Sequence, residues 1–581
     1  MATNGQIARV LAELAELLKL EEGSPQAFRV RAYDKAAGAV RDAAAPVDEM
    51  TDAQLVELDG VGKSTAKKIR EIAATGTLGQ LEELRLKYPP EFVALTRIPG
   101  LGPKTVVMLR DRLGVETVDD LKAALAAEKL RELPGLGAKS EEKIAKAIER
   151  LGLHGKDRRT PIIRVLPLAN ELVSTLRSLP GVERVQCCGS LRRFRETIGD
   201  IDIVVAASDA TPVMQAFVEL PVVDDVIGHG DTKSSILTRQ GMQVDVRVVA
   251  PEQFGAATLY FTGSKEHNIE LRQRAIGAGQ ILNEYSLADA ETEAVIAAST
   301  EEDIYAALGL SYIPPELREG HGEVATAAGE GLPDLITEAD IRGDLHVHST
   351  WSGDGRSSLD DMVAAAAARG LEYLAMTEHA ENLAINGLSR DEVLQEREEI
   401  ERLRGEYPEL TILHGSELNI APDGSLDYDD DFLMAFDWCV ASVHSHFDLD
   451  AATQTERVIR AMQHPAVGVI GHLTGRKIGR RPGIDLDFGA VVDAAVATGT
   501  ALEINSHLDR LDVPADELRS IRNRAEVRFI VSTDSHHTRE YGNLRWGVMN
   551  ARRGWVDKAR VANTLPAAQF VEWAARKRNG A

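Results

Sequence analysis

Cysteine is scarce: the 581 residues hold three, at positions 187, 188 and 439. That excludes a disulfide framework, and Cys187 and Cys188 are expected to pack as small apolar side chains on a strand. Long apolar runs are missing as well. No stretch approaches the roughly 20 residues of a membrane span, so no membrane partner is expected. The first residues lack a basic-then-apolar secretion pattern, which makes the cytoplasm the expected compartment. Net positive charge is the third absence. Asp and Glu outnumber Lys and Arg by 91 to 66, a net charge of −25. Indiscriminate nucleic-acid binding is thereby excluded, although local basic tracks still act through their own field. What remains is an ordinary globular composition, 44% hydrophobic and 27% charged, in a chain long enough for several domains.

One stretch organises the first half: Cys188-Gly189-Ser190-Leu191-Arg192-Arg193 through Gly199-Asp200-Ile201-Asp202, followed by Ile203-Val204-Val205. The apolar run reads as a β-strand, so Asp200 and Asp202 point the same way, about 6–7 Å apart. Two such carboxylates repel unless a cation lies between them, and oxygen-only ligands favour a hard ion such as Mg²⁺. The run Val244-Asp245-Val246 offers a third acid among β-branched residues. Three carboxylates on adjacent strands suit two-metal phosphoryl transfer. The Gly189-Ser190 turn and Arg193 can meet phosphate.

Upstream, residues 7–18 carry a helical apolar stripe, and a mixed aromatic and basic segment with Arg29, Arg31, Tyr33, Lys35 and Arg41 follows. A pattern then recurs three times within about eighty residues. Its glycine pairs are Gly60 and Gly62, Gly100 and Gly102, and Gly135 and Gly137, each pair flanked by apolar residues and leading into a helical run. Glycines there permit a tight hairpin and let phosphate approach exposed N–H groups. Such contacts hold the backbone and read no sequence. The pattern resembles helix-hairpin-helix DNA-binding motifs. A polar, basic stretch at 155–160 is expected to be a hinge.

Together with Tyr260-Phe261-Thr262-Gly263-Ser264, these motifs make residues 1 to about 318 resemble the family X (polymerase β-like) DNA polymerases. The resemblance implies metal-binding and catalytic roles for Asp200, Asp202 and Asp245, with Mg²⁺ or Mn²⁺. It implies triphosphate contacts from Arg159, Ser190, Arg193 and Gly199, and sugar and base contacts from Tyr260, Gly263 and Asn268. Arg272 matches the template-side arginine. The Tyr-Phe pair implies deoxynucleotides. In family members with deoxyribose phosphate lyase activity a Schiff-base lysine falls at Lys68, with Tyr33 as its aromatic neighbour. A second family lysine is replaced by Ser64, and a phosphate-contacting surface lysine is an equal reading of Lys68.

Beyond a Gly-, Ala- and Glu-rich segment at 319–339, read as a linker, lie eleven of the fifteen histidines. Strands are expected at 343–347, 372–377, 410–414, 437–443, 466–471, 500–505 and 527–532. Helices are expected at 357–369, 389–404, 453–463, 487–498 and 515–525. Such alternation predicts a parallel α/β barrel. His346, His348, His379, Glu417, His444, His472, Asp534 and His536 fall at or just past strand ends, where barrels of this kind carry chemistry. Imidazole mixed with carboxylate suits Zn²⁺, Mn²⁺ or Fe²⁺ better than Mg²⁺. Asp344-Leu345-His346-Val347-His348 and Thr533-Asp534-Ser535-His536 resemble the PHP (polymerase and histidinol phosphatase) family, whose nine-ligand, three-metal pattern adds Asp354. An extra glycine, Gly353, precedes that aspartate, and Glu378 stands where an Asp is common. Arg476, Lys477, Arg480 and Arg481 are read as a grip on a nucleic-acid backbone.

The expected architecture is multidomain α/β. It comprises a helical lyase-like domain (1–90), fingers with hairpin motifs (91–155), a nucleotidyltransferase palm (156–250), a thumb (251–318), the linker (319–339) and a (β/α)7-type PHP barrel (340–575). The expected function is gap-filling DNA repair synthesis by a monomer acting on gapped or primer-template DNA with dNTPs. The PHP site, with Mn²⁺ or Zn²⁺ and as many as three ions, is expected to add 3′→5′ exonuclease or end-processing activity. Two alternatives stay open: a PHP region that is a small-molecule phosphatase, and a DNA-bridging scaffold without catalysis.

Overall fold

The computed structural model describes residues 4–578 except 25–26, 44–46, 49, 59, 90–91, 94, 99–100, 139, 142–143, 146–158, 330 and 384–385. Gly100 and most of the expected hinge, up to residue 158, lie outside the described residues. The chain forms two compact units, residues 1–158 with 238–242, and residues 159–237 with 243–581.

In the first unit, α1 (Asn4–Glu22) and α2 (Phe28–Asp42) bury the predicted stripe, with Ile7, Leu11 and Leu14 fully covered. The apolar cluster runs on to Ile144, so the segments 1–90 and 91–155 share one core. The repeat is visible as repeated hydrogen bonds. Val61 N–H donates to Leu58 O, Leu101 to Ile98 O and Leu136 to Leu133 O, at 3.0, 2.9 and 3.1 Å. Four residues past the second glycine the pattern recurs, with Ala66, Val106 and Glu141 donating to the carbonyls of Gly62, Gly102 and Gly137. Gly60 and Gly135 take φ of 80° and 84°, which only glycine adopts without cost. Gly62 precedes α3 (Lys63–Thr75), and Gly102 precedes α4 (Pro103–Leu113), where Pro103 sits in the first turn, a position that needs no N–H.

The second unit begins with a five-stranded sheet of β1 (Val182–Cys187), β2 (Asp200–Ala207), β3 (Val223–His229), β4 (Lys233–Thr238) and β5 (Gln243–Val249), in the order β1-β2-β5-β4-β3. Along β5, Val244, Val246 and Val248 are buried while Asp245 and Arg247 face the other way, the two-residue period of a half-covered strand. Helix α5 (Gly189–Arg192) leads from β1 toward β2. Beyond the sheet, α6 (Phe254–Thr262) and α7 (Lys265–Gly277) precede a small three-stranded antiparallel sheet over 280–297.

The C-terminal part is a barrel of seven parallel strands in sequence order: β6 (Gly343–Val347), β7 (Tyr373–Met376), β8 (Thr411–Asn419), β9 (Trp438–Ser442), β10 (Val467–Gly471), β11 (Ala501–Asn505) and β12 (Phe529–Ser532). A bridge between Val347 and Ser535 closes the ring. Most of these strands are buried throughout, as parallel strands covered on both faces must be. Local sequence sets the crossover helices. Ser389 and Glu392 form a capping box at Arg390–Glu406, and Asp450 and Asp487 cap Ala451–Met462 and Phe488–Thr498. Strand β8 runs past its expected end at 414 to Asn419, and the helix expected over 515–525 stops at Ser520. Among the described residues no helix is long and apolar enough to cross a membrane.

Within 319–339, expected as a linker, two glutamates are held by partners from distant parts of the chain. Glu323 opens α8 (Glu323–Ala328) and is fully buried, paired with His267 at 2.8 Å. Glu319 is clasped by arginines.

Candidate active sites

Parallel pairing of β2 with β5 sets Asp202 opposite Asp245 and Asp200 opposite Gln243. Asp200 shares the face of Asp202 through the strand period, so the three predicted carboxylates come together. Burial raises the Asp202 carboxyl, and repulsion from Asp200 and Asp245 raises it further, to about 7. Nearby compensation is modest. Lys233 Nζ lies 3.8 Å from Asp245 Oδ2, and Gln243 Nε2 donates to Asp245 Oδ1 at 3.0 Å. Oxygen donors that repel one another in this way fit a hard divalent cation. Gly189 is dictated by the same carboxylate. Its φ is 58°, and a Cβ there would stand 2.3 Å from Asp202 Oδ2.

The residues expected to contact a nucleotide lie around this edge. Ser190 lies in α5, and its carbonyl accepts from Arg195 N–H at 2.9 Å. Arg192 turns inward to Glu301 at 2.6 Å. Arg193 donates through Nε to Glu319 at 3.0 Å and through Nη1 to the carbonyl of Thr262. Arg159 donates to Thr197 Oγ1 at 3.0 Å and passes Gly199. Burial and the neighbouring Arg195 lower its pKa. The Tyr260 and Phe261 rings meet edge to face at 5.0 Å, and Arg272 lies over Tyr260. Asn268 donates to the Tyr260 carbonyl at 2.8 Å, and Gly263, φ 65°, approaches Arg193.

At the barrel mouth all nine predicted ligands converge. Three groups, His346/His348/Asp534, His348/His379/His536 and His379/Glu417/His444, each bring their ligand atoms within 4.8 Å of one another. Shared members chain the groups together. His472 Nε2 reaches Glu417 Oε1 at 3.0 Å, and Asp354 lies 3.4 Å from His379 and 3.5 Å from His536. The extra Gly353 therefore does not displace Asp354. Nε2 of His346, both ring nitrogens of His348 and Nδ1 of His472 are buried without a hydrogen-bond partner. Orphaned imidazoles aimed at carboxylates fit transition-metal ions. His472 and Asp534 take φ of 25° and 55°, backbone that a non-glycine residue adopts only when its surroundings enforce it. Burial opposes charge on His346, but Glu503, Glu417 and Asp534 hold its pKa well above the usual value, whereas burial and two flanking histidines hold His348 well below it.

Three residues at this site escaped sequence reasoning. Glu503 accepts from His346 Nδ1 at 2.7 Å, Asn419 pairs with His444 Nδ1 at 2.7 Å, and Arg510 lies 3.6 Å from Asp534. A signal existed for the first: Glu503 is an acid inside the apolar run Ala501-Leu502-Glu503-Ile504. Glu378 accepts from Ser349 and Ser352 and so braces the loop instead of joining the cluster. The basic loop is corrected in part. Arg476 is spent on the carbonyls of Arg510 and Leu511 and on Glu196, and Arg481 on the carbonyl of Gly475. Arg480 is exposed and Lys477 half-buried. In the first unit, Lys68 Nζ donates to Gln80 at 2.8 Å and stands 6.0 Å from the Tyr33 ring.

Comparison with known proteins matches this arrangement part by part. Residues 2–78 match a helix-hairpin-helix domain and 92–150 a SAM-like helix-hairpin-helix tandem. Residues 257–319 match the DNA polymerase beta thumb, and 344–507 the PHP domain. The DNA polymerase/3'-5' exonuclease PolX of Bacillus subtilis (strain 168) is 38% identical over 560 residues, 96% of either chain. DNA polymerase lambda of Rattus norvegicus is 26% identical over 55% of this chain and 57% of its own. A probable phosphatase of Vibrio campbellii is 27% identical over 40% of this chain and 92% of its own. Similarity of that extent to PolX, with both the polymerase and the PHP regions inside it, shows that the chain belongs to the PHP-containing family X DNA polymerases.

Proposed function

We propose that the protein is a DNA repair polymerase of the cytoplasm that fills short gaps and also trims 3′ ends. The observation that carries this reading is the coexistence in one compact unit of two clusters of candidate metal ligands, Asp200, Asp202 and Asp245 on paired strands and the histidines and carboxylates at the barrel mouth. Divalent ions, when bound, supply charge neutralisation at phosphate and lower the pKa of the attacking oxygen. At the palm, Asp200, Asp202 and Asp245 would hold Mg²⁺ or Mn²⁺, and Asp245 would also help remove the proton of the primer 3′-hydroxyl. Arg159, Ser190, Arg193 and Gly199 bind the triphosphate of the incoming dNTP, Tyr260, Gly263 and Asn268 contact its sugar and base, the Tyr260-Phe261 pair disfavours a ribose 2′-hydroxyl, and Arg272 faces the template. The hairpins, including Gly60, Gly62, Gly102, Gly135 and Gly137, grip the DNA backbone. At the barrel, His346, His348, Asp354, His379, Glu417, His444, His472, Asp534 and His536 would hold Mn²⁺ or Zn²⁺ for hydrolysis of a phosphodiester. Extension of a gapped duplex that survives Asp200→Ala, or degradation that survives His346→Ala with His348→Ala, would overturn these assignments.

Likeness of the barrel to a probable phosphatase favours a second reading, in which this site hydrolyses small phosphomonoesters. Turnover of such esters with none on DNA would establish it. Lys68, beside Tyr33, is proposed as the Schiff-base residue of a 5′-deoxyribose phosphate lyase. Borohydride trapping on an abasic oligonucleotide is expected to disappear in Lys68→Ala, and trapping at full strength would remove the proposal.

A further inference from the structure

Three guanidiniums converge on one carboxylate between the palm and the barrel. Glu319 lies 3.0 Å from Arg193 Nε, 3.2 Å from Arg195 Nη1 and 3.0 Å from Arg553 Nη1. Arg193 belongs to the phosphate-facing turn, whereas Arg553 ends the barrel helix α9 (Leu544–Arg553). The Arg193, Arg553 and Glu319 side chains are 13%, 9% and 9% exposed, against 42% for Arg195. Burial opposes charge on Glu319, yet Arg193, Arg553 and Arg195 hold its pKa below the usual carboxylate range. The same helix grips the turn itself. Arg553 Nη1 donates to the Arg193 carbonyl at 2.7 Å, and Trp546 stacks on Phe194 at 5.6 Å. Phe194 takes a φ of 55°, so the turn it occupies needs such support. One residue earlier, Arg552 pairs with Glu316.

We infer that Glu319 and Arg553 are positioning residues that set how readily Arg193 is given up to a nucleoside triphosphate, so that the PHP region tunes nucleotide affinity in the palm. The inference rests on the polymerase reading of the palm. An incoming triphosphate competes with Glu319 for the Arg193 guanidinium. When Arg193 leaves, Glu319 keeps Arg195 and Arg553. Arg195 is solvent-exposed, and its pairing is weakened by screening. Arg553 is desolvated and already fixed by its bond to the Arg193 carbonyl, so it carries most of the compensation. Without Arg553, a largely buried carboxylate would depend on Arg193 and hold it against the nucleotide. Arg192 does not enter this exchange, because it is tied to Glu301, which Arg318 also binds.

The test uses the full chain on a single-nucleotide gapped duplex with Mg²⁺, titrating the dNTP. Arg553→Met is expected to raise the dNTP KM roughly tenfold with kcat within about twofold. The exonuclease rate on a single-stranded oligonucleotide is expected to stay at the wild-type level. Arg553→Lys, which retains the charge, should keep the wild-type KM. Adding Glu319→Gln to Arg553→Met should bring KM back to within about twofold of wild type, because the competing charge is gone. A merely structural role would not give that rescue. An unchanged KM in Arg553→Met, or a double variant no better than the single, overturns the inference while leaving the polymerase reading intact. A fall in kcat and in exonuclease rate that Glu319→Gln does not relieve also overturns it. A wild-type protein that extends no primer overturns both.

Discussion

At the palm edge, three carboxylates meet on strands whose opposite face is core, and their donors are oxygens alone. At the barrel mouth, six imidazoles and three carboxylates interlock, and further side chains fix the rings. Glu503 holds Nδ1 of His346, Asn419 holds that of His444, and the Asp534 carbonyl that of His536. Such bracing orients a ring toward metal and raises its basicity. At the palm, Gln243 Nε2 donates to Asp245 Oδ1 at 3.0 Å. Asp202 is instead left in an unfavourable ionisation state, with its carboxyl raised to about 7. The contrast teaches that a half-open set of acids suits ions that arrive with a nucleotide, whereas a buried imidazole cluster suits ions that stay.

The largest expected effect would break the comparison if it failed. Asp200→Ala should cut primer extension by roughly a thousandfold or more and leave degradation within about twofold. His346→Ala with His348→Ala should do the reverse on the same labelled gapped duplex. Metal analysis after dialysis sharpens the contrast. The wild type and Asp200→Ala should retain transition metal, and the histidine variant should lose it. Loss of both activities in either variant would mean that the sites are not independent.

Gly189→Ala comes next. The added methyl would press on Asp202 Oδ2 at a backbone angle that disfavours alanine. Extension should fall by about a hundredfold, with degradation unchanged. Its counterpart at the barrel is Glu503→Gln, which keeps the shape but weakens the charge behind His346. Metal affinity and degradation should fall by about ten- to a hundredfold, with extension unchanged. Wild-type metal affinity in that variant would deny Glu503 its orienting role.

Much of this was legible in the sequence because its signals were local. Alternating strands and helices, glycine pairs and histidines after apolar runs each report on a few neighbouring residues, and the barrel strands fell within two residues of expectation, apart from the longer end of β8. What escaped depends on partners far apart in the chain. Glu319 and Glu323 looked like solvated linker residues until Arg193, Arg553 and His267 were placed beside them. Arg476 looked like a free cation until the carbonyls of Arg510 and Leu511 were found to occupy it. Composition marks a charge as exposed by default, and only the fold supplies the buried counter-charge that overturns this.

The smallest expected effect concerns stability, and it sharpens the electrostatic side of the contrast. Asp202 has its carboxyl raised by burial and by Asp200 and Asp245, so the folded state keeps a proton that the unfolded chain releases near pH 4. Between about pH 4 and 7 the folded form binds more protons than the unfolded, so this group makes stability fall as pH rises, and the penalty is complete above pH 7. Asp202→Asn removes the penalty along with one of the three palm carboxylates. In metal-free buffer the midpoint of thermal unfolding should rise by about 2–4 °C over wild type at pH 8 and be unchanged at pH 4. Added Mg²⁺ should narrow the gap at pH 8 by stabilising only the wild-type acids. An equal shift at both pH values would trace the gain to packing and sever the link between carboxylate repulsion and metal recruitment at the palm.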